Sequence, residues 1–283
     1  ISNSQKEFII QGSIDEDNPS FRSLNHFYDP VRNIGINNNR TAKDWGTDAG
    51  VVANDFSWPK IIEYYAQGEE EKAFVGLGHI LHLSEDMTVP EHTRNDPHIG
   101  DPITGNSPYE KWVGENKNRN TLKDVYYSVG SPLNFNNISE YFDFLAKYTN
   151  SNFFSKDSIE SSVYTKPVIV DYDDYYAYGI DALNNEKFKI LFAKRDKKTG
   201  VMEKFIDTKD DHIIMSSYFS RLSPLAIRAE AGIIDLFFKE GKIARDKYLA
   251  EQKALQEKTA QKNQSLADSL SKKGRFSLFL SGL

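Results

Sequence analysis

The sequence predicts a mainly α-helical domain with a small β-hairpin insertion and a helical C-terminal tail. Apolar residues recur three and four positions apart in several segments, which is the period of a helix buried along one face. One stretch near residue 190 instead has two apolar segments on either side of a polar, glycine-containing turn, which is typical of a hairpin. The 283 residues and their 39% hydrophobic content suffice for one large core or two modest ones.

The helices are predicted in chain order from their apolar patterns. A helix is predicted over 69–86, and the residues around Phe74, Leu77, Ile80 and Leu81 form a nearly all-apolar segment within it, so this helix should be buried in the domain. Residues 138–152 and 213–239 each place large apolar side chains on one face. Shorter helices are predicted at 59–65 and 109–115. The Pro, Gly, Asn, Asp and Ser content predicts loops at 12–30, 47–58 and 90–107.

The hairpin and the tail complete the predicted organisation. Residues 187–193 and 201–207 flank the polar turn 195–200. Residues 245–273 are rich in Lys, Glu, Gln and Ala, which indicates a solvated helix or a flexible tail. We therefore expect a helical domain over 1–244, with an insertion at about 114–210, followed by a tail over 245–283.

Composition excludes some classes of site and partner. The chain has no cysteine, so disulfides and thiolate metal sites are excluded, and a zinc site would have to use His, Asp and Glu. The net charge of -6 argues against a general nucleic-acid binder. No apolar run reaches the about 18 residues of a membrane span. The opening Ile1-Ser2-Asn3-Ser4 has no basic apolar leader, from which we expect a processed or trimmed start.

The pattern His82-x3-Asp86-x5-His92 is the strongest indication of chemistry. A spacing of four is just over one helical turn, so His82 and Asp86 project from one face. Pro90 turns the chain, which lets His92 return toward that face. Imidazoles and a carboxylate converging in this way are ligands for zinc. The alternative is a helix end with two incidental histidines, since so short a pattern recurs by chance. His79 shares the stripe and is expected to be a hydrogen-bonded core residue or a support for a ligand.

Further motifs along the chain, together with this pattern, carry a family resemblance. His26-Phe27-Tyr28-Asp29-Pro30 follows Asp17, which is separated from Gly12 by four residues. Tyr109-Glu110 is followed shortly by Val113. Together with the segment 73–92, these motifs resemble bacterial zinc-dependent phospholipase C. Residues 218–240 are similar to the closing helix of that family. The combination covers most of residues 12–115 and 213–240.

The resemblance implies a function and an environment. It implies an all-helical, phospholipase C-like fold with a cluster of three zinc ions in a cleft. It also implies hydrolysis of phosphodiester or other phosphate-ester bonds, most typically in phospholipids, by metal-activated water. A secreted, periplasmic or cell-surface location follows from the resemblance alone. Peripheral membrane contact is compatible with it, and no stable nucleic-acid partner is expected.

The resemblance also assigns roles to individual residues. The ligands that it implies around one zinc are Asp17, His26, His82 and Asp86, with Asp86 bridging to a neighbouring zinc. Asp17 matches the position of a general base. His92 and Glu110 match ligands of a second zinc. These roles come from the family pattern and not from the spacing of the residues.

Two positions depart from the family pattern. The family has a His four residues before the glutamate that matches Glu110, and here this residue is Asn106. The nearest substitute ligand is His98, for which a surface position in a polar loop is the alternative. The N-terminal Trp and the first-helix His that hold the third zinc have no counterpart before His26. Either that helix is missing or the third site is absent, so we expect two or three zinc ions.

Other functions and contacts remain open at this point. A related single-strand nuclease would share the fold and the three-zinc arrangement. A non-catalytic surface or binding protein on a degenerate metalloenzyme scaffold would explain the missing ligands. Arg94 could contact a phosphate oxygen or form an ordinary salt bridge. The aromatic and acidic residues 171–178 could cage a quaternary ammonium group or form a solvated edge.

Overall fold

The structure, a computed structural model, describes residues 1–97, 107–115, 129–206 and 213–280. Within these ranges the chain is mainly helical, as predicted, with one small antiparallel sheet. The helices of the described residues are α1 (Asn3–Asp15), α2 (Ala42–Thr47), α3 (Trp58–Gln67), α4 (Glu70–Asp86), α5 (Pro90–Arg94), α6 (Pro108–Gly114), α7 (Ile138–Asn152) and α8 (Ile213–Leu280). The strands are β1 (Asp171–Tyr172), β2 (Tyr176–Ile180), β3 (Lys187–Arg195) and β4 (Met202–Phe205).

Helix α4 lies at the centre of the domain and is buried on most sides, as its apolar sequence predicts. Helices α1, α2, α3, α7 and α8 all contact it. Its first turn carries Glu70 and Glu71, whose negative charges interact favourably with the positive N-terminal end of the helix dipole. The helix ends at Asp86, so His82 and Asp86 lie in its last two turns. The central position of α4 brings this end within reach of several other segments.

Helix α1 packs against α4 through glycines. A Cβ atom at Gly12 would lie 1.9 Å from the carbonyl oxygen of Val75, and one at Gly78 would lie 2.1 Å from that of Ile9. No side chain fits at such distances, so glycine permits the two backbones to approach closely. The sequence did not predict α1 as a helix, because its buried face consists of Gly12 and partly buried side chains instead of a periodic apolar stripe.

Helices α7 and α8 complete the core as the apolar patterns predict. Helix α7 has the predicted bounds, and Tyr141, Phe142, Leu145 and Tyr148 are all buried. In α8 the buried face ends at Phe237 and Gly241, and the residues from 242 to 270 are mostly exposed. The predicted solvated helix over 245–273 is therefore a continuation of α8. None of the described helices combines the length and the apolar character needed to cross a bilayer.

The four strands form an antiparallel sheet in the order β1-β2-β3-β4. The predicted hairpin is present as β3 and β4, where Phe192 pairs with Phe205 and Arg195 with Met202. The sheet contains two more strands than the sequence predicted. Its buried face packs on α8, where the hydroxyl of Tyr218 donates to the carbonyl of Ile190 at 2.8 Å.

Two of the predicted loops are partly helical. Pro90–Arg94 forms helix α5 instead of the start of a loop, because proline is favoured in the first turn of a helix, where its missing N–H costs nothing. The predicted loop 12–30 contains the end of α1 and a 3-10 helix at Ser20–Asn25. The predicted division at residues 114, 210 and 244 stays a prediction.

Candidate metal centre

Five separate segments supply the side chains of the candidate site. Asp17 follows the end of α1, and His26 follows the 3-10 helix. His82 and Asp86 come from the end of α4, and α5 and α6 contribute the last two side chains, His92 and Glu110. Ser107 fixes the start of α6, since its Oγ accepts a hydrogen bond from the Glu110 N–H at 3.1 Å. This cap holds Glu110 in the first turn of its helix.

The first group consists of Asp17, His26 and His82. One possible ligand atom from each lies within 4.8 Å of those of the other two. Asp17 Oδ1 is 3.6 Å from His26 Nδ1 and 3.8 Å from His82 Nε2. The two imidazole rings meet edge to face, with their centroids 4.9 Å apart. Two imidazole nitrogens and a carboxylate oxygen form a set that suits a zinc ion.

The second group consists of Asp86, His92 and Glu110. Their ligand atoms also lie within 4.8 Å of one another. His92 Nδ1 is 3.1 Å from Asp86 Oδ1, and His92 Nε2 is 3.3 Å from Glu110 Oε1. The His92 ring stacks on Phe27 with a centroid distance of 4.6 Å, which restricts its rotation. This second set again offers imidazole nitrogen and carboxylate oxygen.

Asp86 lies between the two groups and faces both of them. Its Oδ2 is 3.1 Å from His26 Nδ1 and 3.6 Å from His82 Nε2, while its Oδ1 faces His92. The carboxylate is buried, yet Oδ2 makes no hydrogen bond of good geometry to any described residue. A buried carboxylate oxygen surrounded by imidazole nitrogens, without a hydrogen bond, fits a site that a cation would satisfy.

The charges of the groups are strongly linked. Burial disfavours charge on His26, but Asp86 outweighs this effect and raises the pKa of His26 to about 9. For His92, the charges of Asp86 and Glu110 likewise overcome burial and raise its pKa well above the usual value. Burial opposes ionisation of Asp86, but the three histidines hold its pKa far below the ordinary range. In the metal-free protein, imidazolium groups at His26 and His92 therefore face the ionised carboxylate of Asp86.

The centre is closed on one side and open on the other. The side chains of His26 and His92 are almost fully buried, whereas that of Asp17 is 62% exposed and that of Glu110 is 35% exposed. Asp17 and Glu110 therefore line the side of the site that solvent reaches. A substrate that approached the centre would meet these two carboxylates first.

Sequence reasoning missed a second cluster behind His26. Glu16 is fully buried, and its carboxylate receives the side chains of Arg22 and His79 and the indole N–H of Trp45. His79 is thus a hydrogen-bonded core residue, one of its two expected roles. The only sequence signal for Glu16 is that it precedes Asp17, which does not distinguish a buried acid from a solvated one.

The remaining sequence candidates have different outcomes. His98 and Asn106 lie outside the described residues, so the question of a substitute ligand stays open. Arg94 is fully buried and donates to the backbone carbonyls of Asn150, Phe153 and Thr165. The phosphate contact, one of the two alternatives for Arg94, is therefore not supported, because its guanidinium donates to main-chain carbonyls.

The aromatic and acidic stretch 171–178 carries lysines over three of its tyrosine rings. The Lys189 ammonium lies 4.0 Å from the Tyr176 ring centroid, and the Lys187 ammonium lies 4.7 Å from that of Tyr178. Lys187 also pairs with Asp171 at 2.9 Å. A quaternary ammonium ligand would have to displace these lysines, so this stretch favours a solvated edge over a cage.

Comparison with known proteins adds no assignment. No protein-family model matches the sequence, and no curated protein matches it at a significant level.

Proposed function

We propose that this protein is a zinc-dependent phosphoesterase that resembles phospholipase C and hydrolyses a phosphodiester. One observation carries the proposal: Asp86 presents one carboxylate oxygen to His26 and His82 and the other to His92. A carboxylate that faces two ligand groups is the arrangement of a bridging ligand between two metal ions. Paired metal ions of this kind serve in-line displacement at phosphorus.

The donor set favours zinc over the harder cations. His26, His82 and His92 supply imidazole nitrogen, whereas Mg²⁺ and Ca²⁺ select sites built almost entirely from oxygen. The carboxylates of Asp17, Asp86 and Glu110 bring the negative charge that two dications need. Zinc bound at these residues would supply Lewis acidity and would lower the pKa of water toward about 7.

The residues of this chain have distinct tasks in the proposed reaction. His26, His82 and His92 hold the site from its buried side, while Asp86 spans both ligand groups. Asp17 is the exposed carboxylate next to His26 and His82, so it can accept a proton from an attacking water at the solvent side. The resemblance to phospholipase C supports a phospholipid headgroup as the substrate.

The test compares wild type with Asp86→Asn and with Asp181→Asn. Asp181→Asn is the control because it also removes one buried negative charge. The Asp181 carboxylate accepts a hydrogen bond from Tyr148 Oη at 3.0 Å and faces Arg221 Nε at 3.4 Å. The measurements are zinc content by mass spectrometry and hydrolysis of bis(p-nitrophenyl) phosphate, phosphatidylcholine vesicles and single-stranded DNA, each with and without chelator.

We expect zinc in the wild type and hydrolysis of the diester and the phospholipid that chelator abolishes. Asp86→Asn should lose zinc and about 100-fold or more of the rate, whereas Asp181→Asn should retain both. Turnover of DNA without turnover of phospholipid would favour the nuclease. Bound zinc without turnover of any substrate would refute the enzyme and favour a binding protein. Full activity after complete chelation would also refute the proposal.

A further inference from the structure

His26 contacts carboxylates through both of its ring nitrogens, and the two sides of the ring differ. Nδ1 faces the centre, 3.1 Å from Asp86 Oδ2 and 3.6 Å from Asp17 Oδ1. Nε2 faces away from the centre, 3.6 Å from Glu16 Oε1. The ring therefore lies between the proposed metal site on one side and a fully buried carboxylate on the other.

The Glu16 carboxylate is held in place by three donors from different parts of the chain. Oε1 accepts from Trp45 Nε1 at 2.9 Å, while Oε2 receives Arg22 and His79. The guanidinium of Arg22 lies over the Trp45 ring at 5.1 Å, which restrains both side chains. A buried carboxylate with this many partners has little rotational freedom. Its position behind His26 is therefore set by the core and not by solvent.

The chemistry of imidazole links the two sides of the ring. A neutral imidazole carries one N–H, so a ring that binds a metal through Nδ1 must carry its proton on Nε2. His26 Nε2 is buried and makes no hydrogen bond of good geometry to any described residue. Glu16 Oε1 is the acceptor that faces it, about half an ångström beyond hydrogen-bond distance. A small rotation of the ring would close this gap.

We propose that Glu16 is a positioning residue that keeps the proton of His26 on Nε2 and thereby directs Nδ1 to the metal. This inference rests on the metal-binding part of the proposed function and not on the reaction. Metal-bound histidines commonly donate their second N–H to a carboxylate, which fixes the tautomer and the ring orientation. Here the carboxylate is anchored by Arg22, Trp45 and His79, so the buried cluster sets the geometry of one ligand.

The test is Glu16→Gln, with Asp181→Asn as the matched buried-carboxylate control. In Glu16→Gln the amide oxygen would stay with Arg22 and His79, so the NH₂ group would face Trp45 Nε1 and His26 Nε2. A donor at that position favours the tautomer with the proton on Nδ1, which cannot bind metal through that atom. Zinc affinity is measured by competition with a chelator, and the His26 tautomer by ¹H–¹⁵N NMR of the zinc-loaded ring.

We expect zinc affinity to fall about 10- to 100-fold in Glu16→Gln and to stay unchanged in Asp181→Asn. The wild-type spectrum should show His26 metallated at Nδ1 and protonated at Nε2. Metal bound through Nε2 in the wild type, or wild-type affinity in Glu16→Gln, would overturn the inference. The wild-type spectrum alone decides the tautomer if Glu16→Gln does not fold.

Parallel phosphodiester assays separate this inference from the proposed function. A protein that binds zinc through His26 Nδ1 and loses affinity in Glu16→Gln, yet hydrolyses no phosphodiester, would support the role of Glu16 and refute the reaction. Zinc-dependent hydrolysis with normal zinc affinity in Glu16→Gln would support the reaction and refute the role of Glu16. A wild type that binds no zinc would overturn both.

Discussion

The close contact between α1 and α4 should determine both the stability of the protein and the geometry of the proposed metal centre. Gly78 of α4 lies against the backbone of Ile9 and Ser13 in α1, and α1 leads directly into Asp17. The same helix α4 carries His82 and Asp86. Gly78→Ala is therefore a perturbation outside the candidate site that should move Asp17 relative to His82 and Asp86.

The size of the movement follows from the distances. A Cβ atom at residue 78 would lie 2.1 Å from the Ile9 carbonyl oxygen and 2.8 Å from the Ser13 nitrogen, whereas ordinary contact begins near 3.4 Å. Both neighbours are backbone atoms, so the clash cannot be relieved by a side-chain rotation. Helix α1 must withdraw by about 1 Å, and overpacking of this kind costs about 1 to 3 kcal/mol of unfolding free energy.

The same displacement is large for a metal site. Ligand distances are satisfied within about 0.2 Å, so a shift of about 1 Å should remove Asp17 from the site shared with His26 and His82. We expect Gly78→Ala to lower the zinc affinity and to reduce phosphodiester hydrolysis about 100-fold. Urea denaturation followed by circular dichroism measures stability, and chelator competition far below the unfolding midpoint measures affinity.

Gly114→Ala is the control for replacing a helical glycine. It ends α6, the helix that carries Glu110, and a Cβ atom there would meet no atom of the described residues within 4 Å. Its stability should be unchanged or about 0.4 to 1 kcal/mol higher, because alanine restricts the unfolded chain. A Gly78→Ala protein with the stability and zinc affinity of the wild type would refute the argument that this backbone contact positions Asp17.

Two further predictions concern protons and a buried cation. Below a pKa of about 9 the metal-free His26 is protonated, and so is His92 below its raised pKa, so zinc binding at pH 7 must release protons. The apparent zinc affinity should rise about tenfold per pH unit for each proton released between pH 7 and 9. The raised pKa of His26 also stabilises the metal-free fold below about pH 6.5, and this stabilisation is lost as the pH rises through about 9. Calorimetry in two buffers of different ionisation enthalpy counts the protons, and a count of zero would contradict these charges. Arg94→Met leaves three carbonyls without their donor, two of them on the buried residues Asn150 and Phe153, and should lower the unfolding free energy by about 3 to 5 kcal/mol. Arg40→Met, at a half-exposed pair with Asp48, should change it by less than about 0.5 kcal/mol in the same urea titration. Equal losses in the two variants would show that the main-chain contacts of Arg94 contribute nothing specific.

The sequence by itself determined the helical class and several individual elements. Apolar periodicity predicted α7 and the buried half of α8, because a helix that packs on a core needs an apolar face at intervals of three and four residues. A nearly all-apolar segment predicted that α4 is buried. The polar turn between apolar segments predicted β3 and β4. Spacing also placed His82 and Asp86 on one face of a helix, since helical geometry is a local property.

The tertiary structure alone decided where α1 lies and which polar residues are buried. Helix α1 has no apolar stripe, and its contact with α4 depends on two glycines that are 66 positions apart in the chain. The sequence suggested a phosphate contact or a salt bridge for Arg94, yet its guanidinium donates to carbonyl groups more than 50 residues away in the chain. A one-dimensional pattern does not contain such pairings.

The candidate site also depends partly on the sequence pattern and partly on the tertiary structure. Sequence spacing relates His82 to Asp86, and the family resemblance suggested the other members, but only packing brings the ends of α1 and α4 together with His26, His92 and Glu110. Packing also gives His79 and His82 different partners, since His79 contacts Glu16 and His82 faces Asp86 in the candidate site. The physical reason is that helical periodicity depends on neighbouring residues, whereas the burial and the partners of a polar side chain depend on segments that are distant in the chain.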